Sequence, residues 1–98
     1  MFTGRKIVSK QVQEEIPSWL QNLLWYMVET MDVPQKDRTQ FFELKGIVQN
    51  GTFQQKIVQQ QQNPYYRKEQ ILTLKRTYTA KVIVVDNVSE CFMLILSS

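Results

Sequence analysis

Few residue types in this chain could do chemistry, and their spacing points to surfaces rather than to a reaction centre. Tyr65-Tyr66-Arg67-Lys68 sets aromatics beside cations, the combination that stacks bases and neutralises phosphates. Lys75, Arg76 and the pair Lys45 and Lys56, which a hairpin would place opposite each other, extend that group. A second group is Gln21, Asn22, Trp25 and Glu29, the polar side of a helix interrupted by an indole, and Trp is enriched among interface anchors. A third is the glutamine-rich stretch Gln54, Gln55 and Gln59 to Gln62, whose backbone could pair with an added strand. Each has a plainer structural reading. The tyrosines and cations would line a solvated sheet face, Trp25 would be covered by its own chain, and the glutamines would keep an edge soluble.

Against reaction chemistry stands the absence of histidine, which removes the commonest general base, the usual metal ligand and the Ser–His and Cys–His nucleophiles. One cysteine, Cys91, cannot build a thiolate zinc site or an internal disulfide. The acids are scattered, and Gly4, Gly46 and Gly51 lie too far apart for a phosphate cradle. No catalytic, metal or cofactor-binding residue is expected, and the chain is not expected to be an enzyme.

The elements that must position these groups begin with a helix at about residues 17–31. At 3.6 residues per turn Ile16, Leu20, Leu23, Leu24, Met27, Val28 and Met31 share one face. Pro17 suits its first turn, and Asp32 with Pro34 marks its exit. Trp25 points nearly opposite the stripe, so it is either covered by the chain or meets a partner. Gln11 to Glu15 reads as polar linker ahead of the helix.

Asn50-Gly51 is the dipeptide that most favours a two-residue type I′ hairpin. It sets a register in which paired residue numbers sum to 101. Phe42, Leu44, Val48, Phe53 and Ile57 then share the face that should meet the helix. Strands follow at Tyr65 to Arg76, Lys81 to Asp86 and Cys91 to Leu96, and Arg5 to Val8 is a candidate edge strand. KVIVVD and CFMLIL are apolar on both faces, as in strands covered on both sides. The expected fold is α+β: one N-terminal amphipathic helix packed on a twisted antiparallel sheet of five strands, with a candidate sixth, the sheet spanning about residues 40–97. A meander over a single domain, 1–98, satisfies this pattern most simply.

Composition is that of an ordinary globule: 98 residues, 43% hydrophobic, 21% charged and net charge +3. That balance permits an anionic partner without demanding one. No apolar run approaches the roughly 20 residues of a membrane span, no secretory leader pattern is present, and a lone thiol fits a reducing compartment. A cytoplasmic location without membrane contact is expected.

The run IPSWLQNLLWYMVETM, followed by QFFELKGIVQNGTFQQKIVQQQQNPYYRKEQILTL, resembles the small Gram-positive bacterial and phage proteins grouped as the domain of unknown function 960 family. The likeness rests on Ile16, Pro17, Leu20, Gln21, Leu24 and Trp25 in the helix and on Gln40, Phe42, Glu43 and Leu44 in a strand. It continues through Gln55, Lys56, Ile57, Gln60, Pro64 and Tyr66. The resemblance implies an association with phages and mobile elements, and no assigned activity. The expected function is a non-enzymatic protein-binding module, acting by binding or inhibiting a host protein such as a defence nuclease, with Gln21, Asn22, Trp25 and Glu29 as its contact residues. The alternative is a small nucleic-acid-binding protein that uses Lys45, Lys56, Tyr65, Tyr66, Arg67 and Lys68. A homodimer is left open.

Overall fold

Asn50 and Gly51 adopt φ of 53° and 74°, the left-handed pair that a type I′ turn demands and that Asn and Gly accept at least cost. A computed structural model describes residues 4–96 of the chain. From the bend at 50–51, β2 (Thr39–Gln49) and β3 (Thr52–Gln62) run back together in the expected register, with Phe42 opposite Gln59, Leu44 opposite Ile57 and Lys45 opposite Lys56. The other elements are β1 (Arg5–Val8), α1 (Lys10–Glu15), α2 (Ser18–Glu29), β4 (Tyr65–Thr73), β5 (Ala80–Asn87) and β6 (Glu90–Ile95).

The fold is α+β, with both helices on one face of a six-stranded, mostly antiparallel sheet of order β1-β6-β5-β2-β3-β4. The simple meander is corrected in two places. The chain leaves β4 and crosses back to lay β5 beside β2, and β1 closes the far edge as a parallel partner of β6. The crossover passes over the Gly46–Gln55 pair. A Cβ on Gly46 would run into the hydroxyl and Cβ of Thr77, so only glycine leaves the crossover room. Gln55, fully buried, then bonds it like a strand: its Oε1 accepts from the Tyr78 N–H at 2.6 Å, and its Nε2 donates to the Tyr78 carbonyl at 2.9 Å.

The expected linker 11–15 is a helix. The Ser9 hydroxyl caps α1 by accepting from the Val12 N–H at 3.2 Å, a stabilising N-terminal arrangement. Val12 is fully buried, one apolar residue in six and too little for a periodicity to reveal. Ile16, Leu20, Leu24, Met27 and Val28 meet Phe42, Leu44 and Ile57 as expected, together with Val82, Val84 and Met93. Val48 and Phe53 do not join them. They lie exposed near the hairpin bend, because β5 pairs with β2 only from Thr39 to Leu44 and the bend reaches beyond the part of the sheet under the helices.

Candidate functional site

Trp25, expected on the wet side of α2, is 6% exposed. β1 covers it. Lys6 and Val8 alternate toward the helical face, the Lys6 ammonium stands 5.7 Å from the centre of the indole, and Lys6 also pairs with Glu29. A cation over an indole face is favourable in its own right, so these contacts hold Trp25 within the fold, while Glu29 stays exposed beside it. Of the remaining nominated residues, Gln21 is half-buried and donates from Nε2 to the Ile16 carbonyl at 2.7 Å, and Asn22 is exposed. Of Gln21, Asn22, Trp25 and Glu29, Asn22 and Glu29 are exposed, but Trp25, expected as the anchor of that surface, is interior. Docking of β1, remote in sequence, extends the buried arc of α2 to Trp25 and leaves Trp19 45% exposed, with Tyr26 two turns along.

The basic group is divided by strand alternation. Tyr65, Arg67, Lys45 and Lys56 lie on the face away from the helices, whereas Tyr66 and Lys68 lie on the helical face. Glu69 offsets two of the cations, at 3.4 Å from Lys56 and 3.2 Å from Arg67. The six residues form no single basic surface.

The glutamine-rich stretch is not an edge. β3 is paired on both sides, by β2 and β4. Gln55, Gln59 and Gln61 are fully buried on the helical face with Gln40. Gln61 is the most connected. Its Oε1 accepts from the Asp37 N–H and from Gln40 Nε2, each at 2.7 Å, and its Nε2 donates to the carbonyls of Gln35 at 3.0 Å and Pro64 at 2.9 Å. Gln59 Nε2 reaches the Met27 carbonyl at 3.3 Å and ties α2 to the sheet. These side chains hold loops and a helix end in place.

The surface that does stand out is the second face of the sheet. KVIVVD and CFMLIL alternate between a buried set, Val82, Val84, Cys91 and Met93, and an outward set, Ile83, Val85, Phe92 and Leu94. Phe41 from β2 and Ile7 from β1 extend the outward set sideways. Phe41, Leu94 and Leu96 are 41%, 37% and 42% exposed. Beside them is a depression of about 250 Å³ lined in part by Phe41, Val58, Lys81 and Leu96. An antiparallel sheet with one solvated face ordinarily alternates apolar inward and polar outward. The interior strands β5 and β6 here do not, and neither helix lies on that side.

Reaction chemistry is sparse in the geometry. Cys91 is fully buried, and burial pushes its thiol above its ordinary value, reinforced by Asp86 with its Oδ1 at 3.9 Å. No group of three or more His, Cys, Asp or Glu that could hold a metal occurs among the described residues, and none of the described helices is long and apolar enough to cross a membrane.

Comparison with known proteins supplies the lineage. The profile of a family described as "Staphylococcal protein of unknown function (DUF960)" matches residues 5–98. The chain belongs to the DUF960 family. A crystal structure of a protein of unknown function from Enterococcus faecalis is similar to it with a TM-score of 0.66 and 18% identity, covering 93% of this chain and 86% of that one. At that identity the likeness shows a shared fold. Comparison with curated proteins returned no match. The motif residues through which this DUF960 chain resembles its family are largely interior: Ile16, Leu20, Leu24, Trp25, Gln40 and Phe42 are all buried. Those motifs describe how the family packs, and the outward apolar face stands apart from them.

Proposed function

We propose that the protein is a non-enzymatic protein-binding module whose contact surface is the sheet face opposite the helices. The supporting observation is the pair of interior strands β5 and β6, apolar on both sides yet covered on one. Apolar patches of a few hundred Å² with polar surroundings mark interaction sites on soluble domains. This one is bordered by charges of both signs, Arg5 with Glu90 at one side and Lys56, Arg67 and Glu69 at the other. Apolar centre and polar rim are the anatomy of a protein interface. The resemblance drawn from the sequence implies an association with phages and mobile elements, on which reading a host protein such as a defence nuclease is one class of partner for this surface.

The test is photo-crosslinking in cells that express the chain, with benzoylphenylalanine in place of Leu94 or, as a control, in place of Asn22. The expected result is a discrete protein adduct from position 94 and none from position 22. No adduct at position 94 would overturn the assignment of this face.

A further inference from the structure

We propose that the polypeptide covering this face is a second copy of the chain, the two sheets packing face to face about a two-fold axis that runs along the strands. The inference rests on the reading of that face as a protein-contact surface and names its occupant.

The first reason is area. Five strands of about six residues, with β1 of four, spaced about 4.8 Å apart at about 3.4 Å per residue, present a footprint of about 550 Å². Two such faces remove about 1,100 Å² from water before side-chain relief is counted, above the roughly 1,000 Å² that a biological interface clears. A sheet twisted to the same hand is the simplest body able to follow this face across its width, and aligned sheet-on-sheet packing about 10 Å apart is a common arrangement.

The second reason is relief. Phe41, Ile83 and Leu94 form one row across β2, β5 and β6. Phe41 and Leu94 stand exposed while Ile83 between them is half-buried, so the row reads high, low, high. A two-fold axis between β5 and β2 lays Phe41 of each copy over Ile83 of the other, ridge into trough, reciprocally as an isologous contact requires. The same operation carries Leu94 toward the β3 side of the other copy, where the depression beside Phe41 and Val58 lies.

The third reason is charge. The operation brings the β1 edge of one copy over the β4 edge of the other. The first edge already carries Arg5 paired with Glu90 and the second carries Arg67 paired with Glu69. The first edge is neutral and the second, where Glu69 is shared by Arg67 and Lys56, keeps an excess of one cation, so the two edges do not repel, whereas a cationic partner surface would meet like charge at the β4 edge.

The experiment is sedimentation equilibrium of the purified full chain from low to high micromolar concentration. The expected result is reversible association to twice the 11.7 kDa monomer mass. Leu94→Lys should raise the dissociation constant by at least about tenfold, and Trp19→Ala on the opposite side should leave it unchanged. Both positions are exposed in the single chain, so far-UV circular dichroism should report intact folds. Phe41→Glu is the second variant should Leu94→Lys misfold. A parent that stays monomeric at high micromolar concentration, or a dimer indifferent to both face variants, overturns the proposal. A monomeric parent whose position 94 crosslinks to a different protein overturns this proposal alone, while absence of any adduct there removes the binding reading with it.

Discussion

Gln61→Leu separates a glutamine that builds the fold from one that merely solubilises a strand. Leucine keeps nearly the same volume in a fully buried position but removes four hydrogen bonds. Gln35 and Pro64 are exposed residues, so their carbonyls can regain water at little cost. The Asp37 N–H and the Gln40 amide bear the loss, and the latter keeps its bond to the Asp37 carbonyl at 3.0 Å. A buried donor left without a partner costs about 1–3 kcal/mol, so the substitution should cost about 2–4 kcal/mol. For a domain of this length that lowers Tm by about 10–25 °C. Urea unfolding followed by far-UV circular dichroism measures the change, with an unaltered slope confirming that the denatured state is the same. Gln60→Leu, one residue away and exposed, should stay within about 0.5 kcal/mol. A loss below about 1 kcal/mol for Gln61→Leu, or equal losses at both positions, would refute the structural role of the buried amides.

Three further outcomes are expected. Trp25→Ala, which empties a buried site between α2 and β1, should destabilise the chain by about 3–5 kcal/mol, while Trp19→Ala should cost less than about 1 kcal/mol; equal losses in thermal melts would contradict the burial of Trp25. Leu24→Asp places a carboxylate at a position with no solvent exposure, a penalty comparable to the whole stability of a small domain, about 5–15 kcal/mol, and a cooperative melt near the parental temperature would contradict the docking of α2. Cys91 should resist a thiol-specific disulfide reagent at mildly alkaline pH until the chain is unfolded, and rapid labelling of the native chain would place it at the surface. Its raised thiol value also sets a sign: below the ordinary value of 9.0 both states keep the proton and stability is unaffected, and as pH rises beyond it the unfolded chain ionises first and stability declines.

The parts of the fold legible in the sequence are those set by short-range rules. The bend at Asn50-Gly51 determined a register that holds along the whole hairpin, and the apolar spacing from Ile16 to Met31 located α2. Long-range contacts carried no such mark. β1 is four residues long and pairs in parallel with β6, more than eighty positions away. Its arrival over Trp25 turned a nominated contact residue into an interior one. The buried glutamines were hidden because residue type alone assigns glutamine to solvent, whereas here backbone carbonyls and N–H groups of loops converge on Gln55 and Gln61. Gly46 and Gln55 are opposite each other in the hairpin register, yet only the crossover from β4 to β5 gives that pairing its meaning. The clearest trace of the candidate surface was the double-sided apolarity of KVIVVD and CFMLIL. It signalled strands with two covers, and the fold supplies one.

The central claim, that another polypeptide meets the sheet face opposite the helices, is tested most directly by hydroxyl-radical footprinting of the chain in freshly opened cells, referenced to the dilute purified chain. The expected result is protection of Phe41, Phe92 and Leu94 relative to that reference, with Trp19 and Tyr26 modified at unchanged rates. Modification of Phe41 and Leu94 at the rates of the dilute chain would contradict it.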